Sequence, residues 1–414
     1  MNPNAVAITG IGMICPLGID TPTCWKNMLQ GTAGIRPITK FDPVRCLSRI
    51  GGELPEAYPD YERTHLSHRL LKHGTLATRL ALLSSLEAMR DAALEPGQLD
   101  ADRAGVITGC GGSTVGDALI PVGEEYNRRP FAHGMLNAPA AAIRMTLGFR
   151  GPSFNVATAC ASGAYAVGLG YDYIRHQGEL CVAVGVDTML SEETVQGFSR
   201  LMALSELNEH PEKASRPFDR KRTGFVLSEG ACAVILESLP HAVKRAARIY
   251  AVMSGHAMTS EAFNIIAPEP DGLGMAETME KAIVNAGIQK DLIGYINAHG
   301  TSTVHNDRAE TSAIKAVFGG RAWQIPVSSQ KSMIGHTIGA AGAIEFAVTA
   351  LSLRHQVLTP TINYEEPDPE CDLDYVPNQA RRVLRLDAAI SNSFGFGGHN
   401  SCIVLERHTT PAGE

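Results

Sequence analysis

Paired cysteines are missing from this 414-residue chain. Its nine cysteines (Cys15, Cys24, Cys46, Cys110, Cys160, Cys181, Cys232, Cys371 and Cys402) are scattered, odd in number and without a CxxC pair. That argues against a disulfide framework and a zinc ribbon, and fits a reducing cytoplasm. Positive charge is not in excess either: Lys and Arg number 36 against 43 Asp and Glu, a formal net charge of -7. A general nucleic-acid binder would need a basic surface, although an acidic total still leaves room for a local basic patch. No apolar run is long enough to span a bilayer. The N-terminal segment has no cationic side chain before Lys26, so no signal peptide is expected. Low-complexity tracts are absent.

What is present is ordinary globular material, 44% apolar and 19% charged. The length suits two or three domains, or one large duplicated unit. Short β-branched runs with Gly or polar ends predict buried strands at Val6–Thr9, Val106–Thr108, Phe154–Ala157, Cys181–Val184, Cys232–Leu236, Ile249–Met253, Tyr295–Asn297, Ile325–Ser328, Ala389–Asn392 and Cys402–Leu405. Helical spacing is read at Thr75–Ala93, Met275–Ala286, Asp307–Phe318 and Gly339–Arg354, with Asp307 and Glu310 fitting a reciprocal cap on the third. The alternation predicts an α/β fold with mainly parallel, covered sheets. A break near residue 245 divides it into halves at 1–245 and 246–408, with a tail at 409–414. Similarity between the halves is too weak to identify a repeat.

Four clusters carry candidate chemistry. In Ala157-Thr158-Ala159-Cys160-Ala161-Ser162-Gly163-Ala164, a cysteine stands between a strand and a helix. Unpaired N–H groups and the helix N-terminus there favour a thiolate and an oxyanion. Taken alone, such a cysteine is more often a buried packing residue. His299, in Asn297-Ala298-His299-Gly300-Thr301-Ser302-Thr303, follows a strand end, where α/β proteins place ligands. Lys331 and His336 share one strand-to-helix connection, Gln330-Lys331-Ser332-Met333-Ile334-Gly335-His336. Asn392-Ser393-Phe394-Gly395-Phe396-Gly397-Gly398-His399-Asn400 is dense enough in glycine to approach a ligand closely or to swing.

Together and in this order, the four clusters resemble the elongating β-ketoacyl-carrier-protein synthases of the thiolase superfamily, over nearly the whole chain. The stretch Ser215-Arg216-Pro217-Phe218-Asp219 with Gly224-Phe225-Val226-Leu227 is similar too. The resemblance implies a pseudo-twofold pair of α/β halves in five layers, αβαβα. It implies that Cys160 is the acyl-accepting nucleophile and that His299 and His336 hold an enolate formed by decarboxylation of a malonyl thioester. Lys331 would keep the site electropositive, with Glu345 as its supporting partner. The backbone N–H groups of Cys160 and Phe396 would form the oxyanion hole, and Gly395, Phe396, Gly397 and Gly398 the gate. Thr301 and Thr303 would bind the phosphopantetheine arm of an acyl carrier protein, and Cys110 would floor the acyl pocket. Asn297, Glu345, Ser391 and Asn392 resemble positions that hold a structural monovalent cation. No cofactor of its own is implied beyond the substrate's phosphopantetheine. The partners implied are the carrier protein and a second subunit, either an identical chain or a homologous chain-length factor, with no nucleic acid and no membrane.

The pathway stays open between fatty acid elongation and a type II polyketide ketosynthase. Three positions depart from the commoner pattern: Cys110, Ile266 in place of a hydroxyl residue, and His399 in place of threonine. The helix expected to dock the carrier is thinly basic, with Arg69 and Lys72 beside His68 and His73. A zinc enzyme is disfavoured because no short ligand pair exists. A dinucleotide fold is disfavoured because Gly10-x-Gly12 and Gly109-x-Gly111 both lack the third glycine. A thiolase would carry a second cysteine in the loop Gly395–Asn400, which has none.

Overall fold

The computed structural model describes residues 5–95, 97, 99–112 and 134–408; the expected tail at 409–414 lies outside them. Each apolar run named above lies in or overlaps one strand of a ten-stranded sheet. These are β1 (Val6–Ile14), β2 (Ala104–Gly109), β3 (Ser153–Val156), β4 (Leu180–Asp187), β5 (Gly230–Ser238), β6 (Ala251–Ser260), β7 (Ile293–Asn297), β8 (Val327–Ser328), β9 (Ala388–Gly395) and β10 (His399–Glu406). The principal helices are α1 (Leu76–Asp91), α2 (Ala138–Leu147), α3 (Ser162–His176), α4 (Leu273–Ala286), α5 (Val304–Phe318) and α6 (Ala341–His355).

Strand order runs β8-β7-β9-β10-β6-β1-β5-β4-β2-β3. Each half therefore repeats one order, third-second-fourth-fifth-first, and the halves meet where β1 and β6 pair over a short seam, Val6–Ile8 against Ala251–Met253. Four of the nine neighbouring pairs are parallel. The other five are antiparallel. This corrects the expectation of mainly parallel sheets. The fifth strand of each half is the cause: β5 and β10 run antiparallel to both neighbours. β10 follows β9 through a three-residue turn, which needs no crossover helix.

Side-chain alternation sorts the layers. From β5, Cys232, Val234 and Leu236 enter the central core with α3 and α6, while Ala231, Ala233 and Ile235 face α1 and α2. From β10, Ile403 and Leu405 face the centre, and Cys402 and Val404 face α4 and α5. The result is the five-layer αβαβα arrangement of a thiolase-like fold. Helix α6, caught between the two halves of the sheet, is buried all round from Ala341 to Leu353. Gly10 and Gly12 have a packing role: a Cβ on either would lie 2.2 Å from Ala88 O or 1.9 Å from Ser84 O of α1. Helix α5 starts earlier than expected. Thr303 is its cap, its side chain accepting from Asn306 N at 3.4 Å, so Asp307 and Glu310 lie inside the helix and are used elsewhere. No helix among the described residues is long and apolar enough to cross a membrane.

Candidate active site

The site lies at the C-terminal ends of β3, β7, β8 and β9, where each chain segment turns away from the sheet. After β3 a single 3₁₀ turn, Ala159–Ala161, leads into α3. Ala159 is held at φ +48°, a left-handed conformation that costs about 1–2 kcal/mol for a residue with a Cβ. Ser162 fastens the turn: its Oγ accepts from Thr158 N at 2.8 Å and donates to Ala159 O at 2.7 Å. The end of β9 presses on this turn at Gly395, where a Cβ would sit 2.8 Å from Thr158 O and 3.1 Å from Ala161 N. That close approach brings the Phe396 N–H, together with the N–H of Cys160 itself, onto the Cys160 sulfur.

Cys160 is buried, and burial pushes its thiol up to about 11. The Phe396 N–H and the Lys331 charge pull the other way, and the Asp187 carboxylate adds to the rise. The helix start therefore does not leave a resting thiolate, because desolvation outweighs the N–H groups. Since only the thiolate is alkylated, iodoacetamide labelling of Cys160 should rise about tenfold per pH unit from pH 7 to 9 without a plateau. A plateau below pH 8, measured by peptide mass spectrometry, would show an activated thiolate instead.

His299 and His336 are both 1% exposed, their rings 5.4 Å apart and nearly perpendicular at 83°. The Cys160 Sγ and one nitrogen from each ring lie within 4.8 Å of one another. The second nitrogens fix the tautomers. His299 Nδ1 faces Lys331 Nζ at 3.4 Å, and His336 Nδ1 faces Ile338 N at 3.3 Å. Both Nδ1 atoms meet donors and so must accept, which leaves the proton on each Nε2. His336 Nε2 has no protein partner among the described residues. Burial, reinforced by the Lys331 charge, holds both rings well below the usual histidine range, so both are neutral donors. A metal would need the opposite tautomer, with Nδ1–H donating to an acceptor. Two neutral N–H donors in this arrangement can hold an oxyanion.

Lys331 is 1% exposed and bonds to His299 O at 2.6 Å and to the Glu345 carboxylate. The pairing offsets the desolvation of a buried ammonium. Burial raises Glu345 to about 7 against the pull of Lys331. Glu310, absent from the sequence-derived site, accepts from His299 N at 2.9 Å and Gly300 N at 2.8 Å and so holds the histidine loop. Only its position on α5 could have suggested it, and there it looked like part of a cap. Asp187 was also missed. It ends β4 and accepts from Gly111 N and Gly339 N, each at 2.9 Å, joining the two halves behind Cys160. Arg216 N donates to Ser302 Oγ at 2.9 Å, so the segment after Ser215 braces the His299 loop.

Asn297 Nδ2 donates to Glu345 O and Thr349 Oγ1, which leaves its Oδ1 without a partner; Glu345 Oε2 and Asn392 Oδ1 are likewise buried and unpartnered among the described residues. Ser391 pairs with Asn297 across β9 and β7. Orphaned buried oxygens without donors fit a hard cation.

A cavity of ≈ 240 Å³ opens over Cys160, His299 and His336. Thr301 and Thr303 stand on its wall, their hydroxyls 2.9 Å apart. Phe396 packs on Phe198 at 6.2 Å, against the apolar cluster that includes Cys160. Gly397 and Gly398 take φ +83° and +70°, and the gate segment is tied to a neighbouring loop by Gly397 N to Ile265 O (2.8 Å) and Glu261 N to Gly398 O (3.0 Å). Cys110 does not line this cavity. It sits behind Gly339, its Sγ 3.7 Å from Asp187 Oδ1. Ile266 does line it. His399 stands edge-on to Tyr165, with ring centroids 6.4 Å apart.

Comparison with known proteins shows the family. Residues 3–242 match the model of the beta-ketoacyl synthase N-terminal domain, and residues 250–365 that of the C-terminal domain. The chain is 40% identical over 412 residues to 3-oxoacyl-[acyl-carrier-protein] synthase 2 of Synechocystis sp., covering 97% of this chain and 98% of the relative. It is 41% identical over 418 residues to the tetracenomycin polyketide synthase ketoacyl synthase alpha subunit of Streptomyces glaucescens, covering 97% of each. Among solved structures, a type II PKS acyl-carrier protein in complex with its ketosynthase matches with a TM-score of 0.89 at 32% identity, over 98% of this chain and 99% of that one.

Proposed function

The chain belongs to the β-ketoacyl synthase family, a family of condensing transferases, and from that premise we propose how its own residues perform the reaction. Cys160 Sγ attacks an acyl thioester delivered on the phosphopantetheine of an acyl carrier protein. A new C–S bond forms, the tetrahedral oxygen is held by the N–H groups of Cys160 and Phe396, and the carrier thiol leaves with the proton. Malonyl thioester then enters past the Phe396 gate, its arm hydrogen-bonded by Thr301 and Thr303. Its C–C bond to the carboxylate breaks, carbon dioxide departs, and the electron pair moves to the thioester oxygen between His299 Nε2–H and His336 Nε2–H. The enolate carbon attacks the acyl group on Cys160 and expels the thiolate, giving a 3-oxoacyl chain two carbons longer. Lys331 and Glu345 set the His299 tautomer. A monovalent cation held by Asn297, Glu345, Asn392 and Ser391 would rigidify the loops behind the histidines and takes no part in bond making.

The observation that carries this reading is a pair of neutral imidazoles, each with a ring nitrogen within 4.8 Å of one sulfur. The pathway proposed is fatty acid elongation. The similarity to a polyketide alpha subunit favours a second reading, a ketosynthase paired with a chain-length factor. We assign residues 1–245 and 246–408 to the two halves and place the protein in the cytoplasm, with none of the nine cysteines in a disulfide as support. The unpaired edge of β3, with Phe154 39% exposed, offers a face for a second subunit. Intact-mass spectrometry with a panel of acyl-carrier proteins tests the reaction. An acyl adduct should form and then discharge on adding malonyl-carrier protein, with a product two carbons longer. Absence of the adduct with every acyl chain would refute the proposal.

A further inference from the structure

Exposed apolar side chains cluster at the described cavity mouth, beside the polar Glu261 and His305. Leu201, Met202, Ile266 and Val304 line the cavity yet remain 43%, 89%, 41% and 47% exposed. Phe263 and Ile265, 54% and 77% exposed, stand on the loop whose Glu261 and Ile266 reach the cavity, but do not line it themselves. Met202 and Ala262 both sit at φ +53°, a conformation unfavourable to residues with a Cβ, in the two loops that present this rim. Scattered exposed apolar residues need no explanation, but several around one opening mark an interaction surface.

We propose that this rim seats the acyl carrier protein by apolar contact rather than by ion pairs. The inference rests on the carrier-borne substrate proposed above and adds the surface and the kind of force. Continuity identifies the occupant: an arm that reaches Cys160 through this opening leaves its carrier resting on the rim. Phe263 and Ile265 are exposed and do not line the cavity, so the arm and acyl group inside are not what covers them. Charges along the two rim segments give no basic field for an acidic partner: Arg200 and Lys213 stand with Glu206, Glu209 and Glu212, and the other loop carries Glu261, Glu269 and Asp271. The rim also touches the gate, since Ile265 O accepts the Gly397 N–H.

The variant Phe263→Ser tests this, with octanoyl and malonyl groups carried either on acyl carrier protein or on free pantetheine. KM for the carrier-borne substrates should rise about tenfold or more, with kcat and all parameters for pantetheine thioesters unchanged. Wild-type KM for the carrier should change less than about threefold between about 50 and about 500 mM salt. Carrier affinity measured by calorimetry should weaken in parallel, a readout independent of catalysis. Unchanged carrier affinity in the variant, or steep weakening of wild-type affinity by salt, overturns the proposal. So does sedimentation of the wild type, but not the variant, with phosphatidylglycerol vesicles, which would assign the rim to a membrane. If neither donor is elongated while carrier affinity still falls in the variant, the condensing mechanism fails and the docking surface stands.

Discussion

Replacing Cys160 with alanine is expected to abolish the acyl-enzyme and to lower condensation by roughly 10⁴-fold or more, while malonyl decarboxylation continues. The separation follows from the geometry. In the proposed mechanism acyl transfer uses the sulfur and the N–H groups of Cys160 and Phe396, whereas a separate pair of groups, His299 and His336, holds the enolate oxygen. Alanine retains the backbone N–H and the φ +48° turn before it, so the oxyanion donors survive and only the nucleophile is lost. Intact mass should show no adduct with any acyl-carrier protein, while ¹⁴C-malonyl substrate still releases labelled carbon dioxide. Elongation by the alanine variant at a rate near wild type would place the acyl group elsewhere.

The second large effect is the converse. His336→Ala should lower decarboxylation by about 10²–10³-fold and leave acylation of Cys160 within a few-fold of wild type. Two observations single out His336. Its Nε2 has no protein partner among the described residues, and its Nδ1 is committed to Ile338 N. Removal therefore takes away one oxyanion donor without freeing another. His299→Ala should show the same direction, with an added loss of stability because Lys331 Nζ loses the ring nitrogen it faces. Single-turnover acylation and carbon dioxide release, measured separately, decide the matter. A histidine variant that acylates slowly but decarboxylates normally would reverse the roles.

Both variants would act on residues already visible in the sequence. Cys160, His299, Lys331 and His336 each followed an apolar strand-like run in an order shared with one family; the structure brings Cys160, His299 and His336 to one cavity and sets Lys331 against His299. Strand positions were legible for the same reason: a strand buried on both faces has few polar residues to interrupt it. Strand direction was not legible, because direction depends on whether the next link is a hairpin or a crossover. The duplication was expected from the family resemblance but was not visible as a sequence repeat. The turn before α3 and the turn before α6 each contain a residue at φ +48°, Ala159 and Ile338, and each leads into a 15-residue helix, yet their sequences share little. Backbone geometry can persist where side chains have diverged toward different tasks, nucleophile on one side and oxyanion donors on the other.

The sequence by itself determined the chemistry available: one cysteine at a helix start, two histidines, a lysine and a glycine-rich loop, on an α/β framework without paired cysteines. Only the tertiary structure decided the state of those groups. It placed Glu310 and Asp187 behind the loops, turned both imidazoles into Nε2–H donors, and left the Cys160 thiol up at about 11 rather than ionised. Each of these outcomes depends on which donors, acceptors and charges lie within a few ångströms, and on how far water is excluded. Proximity and desolvation of that kind arise when segments more than a hundred residues apart pack together.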